Sequence, residues 1–480
     1  MQLSQLSGRT PQLPLTLELA NGQSLVIEQW LRVLPGQRYV GKAQWQGRSV
    51  LAKILVGSKA ARQFARESAG AQLLTEQQIT SAALLDAQQQ SDGSAYVLFE
   101  FIEHAQSLAE AWQACSADQP LSEQQTRVLG GALSAVAQMH LRGLWQSDLH
   151  LDNLLQQGDQ LYVVDGGGVQ SEQAGQPLSQ EKVIANLAVF FAQLPSALDE
   201  YLEELLIHYL MANGEHALRL EKLQQQIHSI RQWRVKDYLN KAGRECSLFS
   251  AKINPFGLRV VWRAAQDELE PVLANPDAAI AGGHIYKTGG AATVARIEHG
   301  QRSLVVKRYN IKNIAHWLKR FWRPSRAWHS WLAGHRLSVL GINTPQSLAV
   351  LENRWCGLRG SAWLISEYCG EQDIIDRLAA YEDNDVVPEA EIVALVELLN
   401  ALIREKISHG DLKGHNILWH QERCFLIDLD AMQQHQSMRS FSRAYLKDRT
   451  RLLRNWPHDS PLYRLLDQRL PQLPSSCPED

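Results

Sequence analysis

The sequence is poor in the features that would place it in several large classes. Cysteine is sparse: Cys115, Cys246, Cys356, Cys369, Cys424 and Cys477 are scattered over 480 residues, with no C-x-x-C pair and no histidine at zinc spacing. That excludes a disulfide framework and a zinc ribbon, and it predicts a reduced, cytosolic chain. An excess of one charge is also missing. The formal net charge is −3, so no global field draws the chain to nucleic acid or membranes, and any such patch must be local. Nucleic acid is not an expected partner. Long apolar runs are absent too. The longest uncharged stretch, VIANLAVFFAQLPSAL (183–198), carries Asn, Gln and Pro and falls short of the ~20 residues that span a bilayer. The opening MQLSQLSGRT lacks the basic start and apolar core of a signal peptide. The expectation is a cytoplasmic chain of two to four domains.

What the sequence does contain is a repeat. Asp148, Asn153 and Asp165 stand in SDLHLDNLLQQGDQLYVVDGGGV, and Asp411, Asn416 and Asp428 in GDLKGHNILWHQERCFLIDLDAM. Both triplets have spacings of 5 and 12, and the two differ by a constant 263 residues. A lone Asp or Asn in a loop is usually a turn or cap residue. Three matched positions, each Asn followed by one apolar strand and each final Asp ending another, make an internal repeat.

The flanks repeat as well. Before the first motif, Ser122 and Gln125 have capping-box spacing, and Leu129, Leu133 and Val136 recur at helical period. Before the second, Pro388 suits the first turn of a helix, and Ile392, Leu395, Val396, Leu399, Leu402 and Ile403 form an apolar stripe. LYVVD and CFLID read as strands of buried hairpins. Further upstream, each half has a lysine in a β-rich run: Lys53 in SVLAKILVG and Lys307 in SLVVKRYN. KTGGAATV, a glycine-rich turn, precedes Lys307. Apolar strands at 96–102 and 363–368 fall between each lysine and its Asp loop.

Glycine-rich turn, strand lysine, D-x-x-x-x-N loop and a strand-ending Asp resemble, in that order, the protein-kinase-like fold, twice over. HGDLKGHNIL with LIDLDAM, and VVKRYN ahead of a Trp- and Arg-rich helix, resemble more narrowly the lipopolysaccharide core kinases of the Kdo/WaaP type. The resemblance implies an α+β chain of two tandem kinase-like domains, 1–240 and 241–480, each with a β-rich N-lobe and a helical C-lobe. It implies ATP and Mg2+ as cofactors. Asp148 and Asp411 would accept the proton of the attacking hydroxyl, and Lys413 would reach the transferring phosphate. Asn153 with Asp165, and Asn416 with Asp428, would hold magnesium, for which oxygen ligands suit. Lys53 and Lys307 would meet the α- and β-phosphates, Glu67 would fix Lys53, and the backbone at Gly289 and Gly290 would approach the phosphates. Glu67 reads equally as a surface acid, and the Gly pair as a plain hairpin turn. His140, His150 and His409 read as structural.

The second half departs from the kinase pattern. Aligning SAGAQLL with LAGHRLS sets Trp331 opposite Glu67, and no acid occurs between Lys307 and Glu352. Neither half carries Asp-Phe-Gly or an A-P-E segment. A peptide-docking platform is therefore not expected, and a hydroxyl on a glycan or small molecule fits better. The expected acceptor is lipopolysaccharide core oligosaccharide or a lipid-linked glycan. A small-metabolite kinase of the choline or aminoglycoside type, and a pseudokinase scaffold in one or both halves, are the alternatives. Residues 307–336 hold Lys307, Arg308, Lys312, Lys319, Arg320, Arg323, Arg326 and Arg336 with no acid, interleaved with Trp317, Phe321, Trp322, Trp328 and Trp331. That stretch is either a helix with a solvated basic face or a surface for anionic glycolipid at the cytoplasmic face of the inner membrane.

Overall fold

The computed structural model describes all residues except 10, 20, 117, 311–322, 383–385 and 474–480. The chain divides into two compact units, Met1–Arg231 and Gln232–Asp480. The division falls inside the helix Leu220–Lys241, earlier than the expected boundary. This continuous helix carries no glycine or proline to mark such a point.

In the first unit, β1 (Leu15–Glu18), β2 (Ser24–Leu34), β3 (Arg38–Trp45), β4 (Arg48–Leu55), β5 (Leu84–Gln89) and β6 (Ala95–Glu100) form an antiparallel sheet in the order β1-β2-β3-β4-β6-β5. Helix α1 (Ala60–Glu76) follows β4. Lys53 lies in β4, in register with Val40 and Val97. The helical part packs Leu129, Leu133 and Val136 of α2 (Glu123–Leu141) against Ile184, Leu187 and Phe190 of α3 (Gln180–Phe191). Ser122 caps α2 by accepting the Gln125 N–H, but Gln125 accepts from Leu121 N instead of closing the box. Its amide nitrogen is drawn to the Cys115 and Asp118 carbonyls.

The second unit has a seven-stranded antiparallel sheet. Its strands β7 (Phe249–Asn254), β8 (Gly257–Trp262), β9 (His284–Lys287), β10 (Ala292–His299), β11 (Arg302–Tyr309), β12 (Ser347–Trp355) and β13 (Leu358–Glu367) run in the order β7-β8-β12-β13-β11-β10-β9. Lys307 sits on β11 in register with Val294 and Leu364. The helix α4 (Arg326–Val339) packs on this sheet. Pro388 is the cap of α5 (Glu389–Arg404) rather than its first residue, and Ile392, Leu395, Leu399 and Leu402 are buried at its core face. The last long helices are α6 (Met438–Leu453) and α7 (Pro461–Arg469). The LYVVD and CFLID segments form short hairpins with Leu154–Gln157 and Ile417–His420, buried at one end and exposed at the other. Among the described residues no helix is long and apolar enough to cross a membrane.

His140 ends α2 fully buried, its Nδ1 3.0 Å from the Tyr209 hydroxyl and its Nε2 3.0 Å from Asn186 Oδ1. Burial pushes the imidazole down to about 4 against the weaker, opposite pull of Asn186. The folded state thus holds it neutral where the unfolded chain protonates near 6.5. Stability is fully present above that unfolded value and falls as pH drops from about 6.5 towards about 4. Urea unfolding of the full chain should lose roughly 2 kcal/mol from this group between pH 7 and 5. His140→Gln should be less stable but show a flatter pH dependence; an equal slope in both chains would refute this assignment.

Candidate functional site

Lys53 is 6% exposed in the middle of its sheet. A buried ammonium needs counter-charges, and it has two: Glu67 Oε2 on α1 at 2.7 Å and Asp165 Oδ1 at 2.8 Å. Glu67 also accepts the Gly167 N–H at 3.2 Å. The close approach of α1 depends on Gly70, where a Cβ would lie 1.8 Å from the Gly166 carbonyl oxygen. Asp165 adopts a left-handed backbone (φ 66°, ψ 65°), which a non-glycine residue holds only when its surroundings over-determine it. Burial raises its carboxyl, but the charge and hydrogen bond of Lys53, with Arg38 and Glu67, together outweigh that and hold it below the usual range. Asn153 Nδ2 donates to the Asp148 carbonyl at 2.7 Å, and Gln146 Nε2 donates to the Val164 carbonyl at 2.8 Å. The Asp148 carboxylate is exposed, 3.9 Å from His150 Nε2. The cavity bordering Lys53 and Asp165 measures about 20 Å³.

The second unit repeats this geometry with two replacements. Asn416 Nδ2 donates to the Asp411 carbonyl at 2.8 Å. His409 Nε2 lies 2.9 Å from the Ile427 carbonyl, filling the place of Gln146. Asp428 is again left-handed (φ 58°, ψ 54°), with Oδ1 2.5 Å from Lys307 Nζ. The helix acid is gone: Trp331 is fully buried and donates to the Ala242 carbonyl at 2.9 Å. The second carboxylate comes instead from Asp430. It accepts from Lys307 at 3.3 Å, Tyr309 Oη at 2.8 Å and Ser330 Oγ at 2.6 Å, and it pairs with Arg326. Burial opposes ionisation of Asp430, yet Lys307, Ser330 and Arg326 together hold its carboxyl below the usual range.

Beside these groups opens a cavity of about 740 Å³, a volume that suits a small-molecule ligand. Val294, Val305 and Leu418 give it apolar walls, and Lys307, Asn416 and Asp428 line its polar end. Asn416 spends its amide nitrogen on Asp411, which leaves its side-chain oxygen uncommitted by that bond, and Asp428 lines the same cavity. Such oxygens fit a hard cation, and the lysine fits phosphate.

Residues 281–461 match the Lipopolysaccharide kinase (Kdo/WaaP) family. The match lies wholly within the second unit. A solved structure titled "WaaP in complex with acyl carrier protein" is similar at 17% identity and a TM-score of 0.32, covering 44% of this chain and 86% of that one. No curated protein matches the sequence.

Gly289 and Gly290 form the turn between β9 and β10, both left-handed (φ 79° and 59°), with open space where a Cβ would stand. Their neighbours Lys287, Ala291 and Ala292 line the cavity. In the basic stretch, Lys312, Trp317, Lys319, Arg320, Phe321 and Trp322 lie outside the described residues. Arg326 is committed to Asp430 and Arg308 lies 3.4 Å from Asp277, while Trp331 is core; of the basic groups beyond Lys307, Arg323 is exposed.

Three residues on this site escaped the sequence reading. Asp430 was legible only as the second Asp of LIDLDAM, because its partners lie 100 or more residues away. Asp448, buried on α6, accepts the His409 N–H at 2.7 Å and the Gly410 N–H at 3.1 Å, fixing the loop that carries Asp411. Arg451, one turn on, donates to the Gly410 carbonyl at 2.6 Å and to Asp411 Oδ1 at 3.1 Å. Nothing in the D-x-x-x-x-N spacing points to a helix so far downstream.

Asp430→Asn removes a largely buried charge while leaving Lys307 and Arg326 in place. Breaking a buried pair from one side typically costs about 3–5 kcal/mol. The full chain should therefore unfold at clearly lower urea concentration, and the added Arg326→Gln change should cost less in this background than alone. Additive losses would mean that the two groups do not act together.

Proposed function

We propose that this chain is an ATP-dependent kinase that phosphorylates sugar hydroxyls, heptose or Kdo, of the lipopolysaccharide core. The observation that carries the reading is the second unit's cavity, whose polar end joins Lys307, Asn416 and Asp428 and is tied through Asn416 to Asp411. The family match over the same residues supports it. Bound there, ATP supplies the phosphoryl group, with Mg2+ neutralising its phosphates.

The chain's own contributions follow from phosphoryl-transfer chemistry, in which positioning and charge neutralisation dominate. The apolar walls take a flat base and exclude water from it. Lys307, aimed by Asp428 and Asp430, offers its ammonium to phosphate oxygens; Asn416 and Asp428 offer oxygens to the metal. Asp411 receives the proton of the acceptor hydroxyl as its oxygen bonds to the γ-phosphorus and the bond to the bridging oxygen breaks, with ADP leaving. Lys413, 3.0 Å from Asp411 Oδ2, offers its ammonium to the transferring phosphate. Asp448 keeps the loop from shifting by holding two of its amides.

The first unit has the same lysine, asparagine and aspartates in the same mutual contacts, and we propose that it is a second kinase-like domain. Glu67, Lys53 and Asp165 supply its ion cluster, Asn153 and Asp165 its metal oxygens and Asp148 its base. The acceptor is modified on the cytoplasmic side, where ATP is available, with the chain in peripheral contact with the inner membrane.

Purified full-length chain should move phosphate from labelled ATP to heptose-containing core oligosaccharide, and EDTA should stop it. Loss of a general base typically costs ~10²–10⁴-fold. Asp411→Asn and Asp148→Asn should each remove part of the incorporation and the double variant all of it. A silent Asp148→Asn with a dead Asp411→Asn would make the first unit a pseudokinase. Transfer to choline or an aminoglycoside but not to the oligosaccharide would replace the acceptor class.

A further inference from the structure

Helix α6 buries Phe441, Tyr445, Asp448 and Leu452 on one side. On the opposite side Arg439, Arg443, Lys447, Arg451 and Arg454 are all exposed. The first four recur every fourth residue, so they line one helix face over about 18 Å at 1.5 Å per residue. The acid of this helix does not balance them: Asp448 is turned inward onto the His409 and Gly410 amides. Arg449, the other basic residue of the segment, is buried and paired with Asp467 at 2.8 Å.

A basic face on a surface helix is ordinarily just solvated. Here one end of it enters the reactive site. Arg451 Nη1 reaches Asp411 Oδ1 at 3.1 Å, and Lys413 Nζ reaches Asp411 Oδ2 at 3.0 Å. Two cations therefore flank the carboxylate to which the acceptor hydroxyl must come, and the row of positive charge continues outward from one of them. The helix that follows the metal-type Asp in the first unit, α3, holds no arginine and one lysine, Lys182, which lies 4.1 Å over the Trp145 ring. The basic face is thus a property of the second unit and not of the shared scaffold.

We propose that the acceptor of the second unit already carries phosphate groups, and that these bind along the exposed face of α6 through Arg443 and Lys447 while Arg451 holds the reacting end. The guanidinium fork matches phosphate oxygens in pairs. A row of such groups recognises an elongated, multiply phosphorylated glycan better than a single small anion. This rests on the reading of the second unit as a phosphotransferase and adds the charge of its acceptor.

The test uses the full chain, its Arg443→Glu/Lys447→Glu variant, and a lipid-free core oligosaccharide before and after chemical removal of its phosphates. Isothermal titration gives binding and labelled ATP gives transfer. The parent should bind the phosphorylated form, about tenfold or more tighter than the variant does, with an affinity that falls as salt rises. It should bind the dephosphorylated form no better than the variant. The acceptor KM should rise in the variant by a like factor, with kcat and the KM for ATP kept. Equal binding by parent and variant, or equal binding of the two oligosaccharides, overturns the inference even if transfer proceeds. Binding lost in the variant without any transfer by the parent upholds the phosphate-binding face and removes the kinase reading instead. If the variant loses affinity only for vesicles of anionic phospholipid and keeps the oligosaccharide, the face is a membrane contact and the proposal fails.

Discussion

A lysine ammonium placed in the interior of a β-sheet cannot stand alone, and both units are organised around meeting that requirement. In each, one carboxylate comes from an Asp at the end of a short strand, held in the left-handed region of backbone space. That conformation would be unfavourable in isolation. It persists because the ion pair at 2.8 Å in one unit and 2.5 Å in the other closes a ring of contacts from sheet to loop. The neighbouring asparagine then ties the loop to the carbonyl of the Asp five residues before it. Sheet, helix and loops are positioned by charge that burial makes costly to leave unpaired.

The two units solve the second half of the same problem differently. Where α1 supplies Glu67, α4 supplies no acid; the residue set opposite Glu67 by sequence is Trp331, which faces the core. Asp430 takes over from the loop side, and the helix holds it by Ser330 and Arg326. Direction of support is therefore reversed. In the first unit the helix acid holds the lysine and the Gly167 amide; in the second the helix holds the acid that holds the lysine. Charge balance around the ammonium survives, although the residue that would be sought by pattern is missing.

That contrast explains what the sequence could and could not reveal. Positions fixed by local chemistry were legible: the 5 and 12 spacings mark an asparagine tie and a strand length, and both hairpins follow from them. The core stripes of α2 and α5 followed from period alone. Residues that matter by meeting a distant partner were not legible. Asp430, Asp448 and Arg451 each join segments far apart in the chain, and each is an ordinary charged residue in its own local context. The Gln125 side chain shows the same limit on a smaller scale, because a tertiary carbonyl outcompeted the local cap. The division into compact units falls within a continuous helix, where no local residue pattern marks it.

The same reasoning bears on how the two halves divide their work. Both preserve the expensive features: a lysine in the sheet, buried in the first unit and half-buried in the second, a left-handed Asp and a spent asparagine amide. Such features are costly to hold and give a scaffold nothing that apolar packing would not supply better. Around that shared centre the surroundings diverge. Asp411 is flanked by Lys413 and Arg451, with a large cavity beside its asparagine, whereas Asp148 is exposed near a histidine. Electrostatic surroundings set which substrate charge is welcome more than whether the centre exists. On the proposal that both units transfer phosphate, the cations around Asp411 suit the second to the more anionic acceptor.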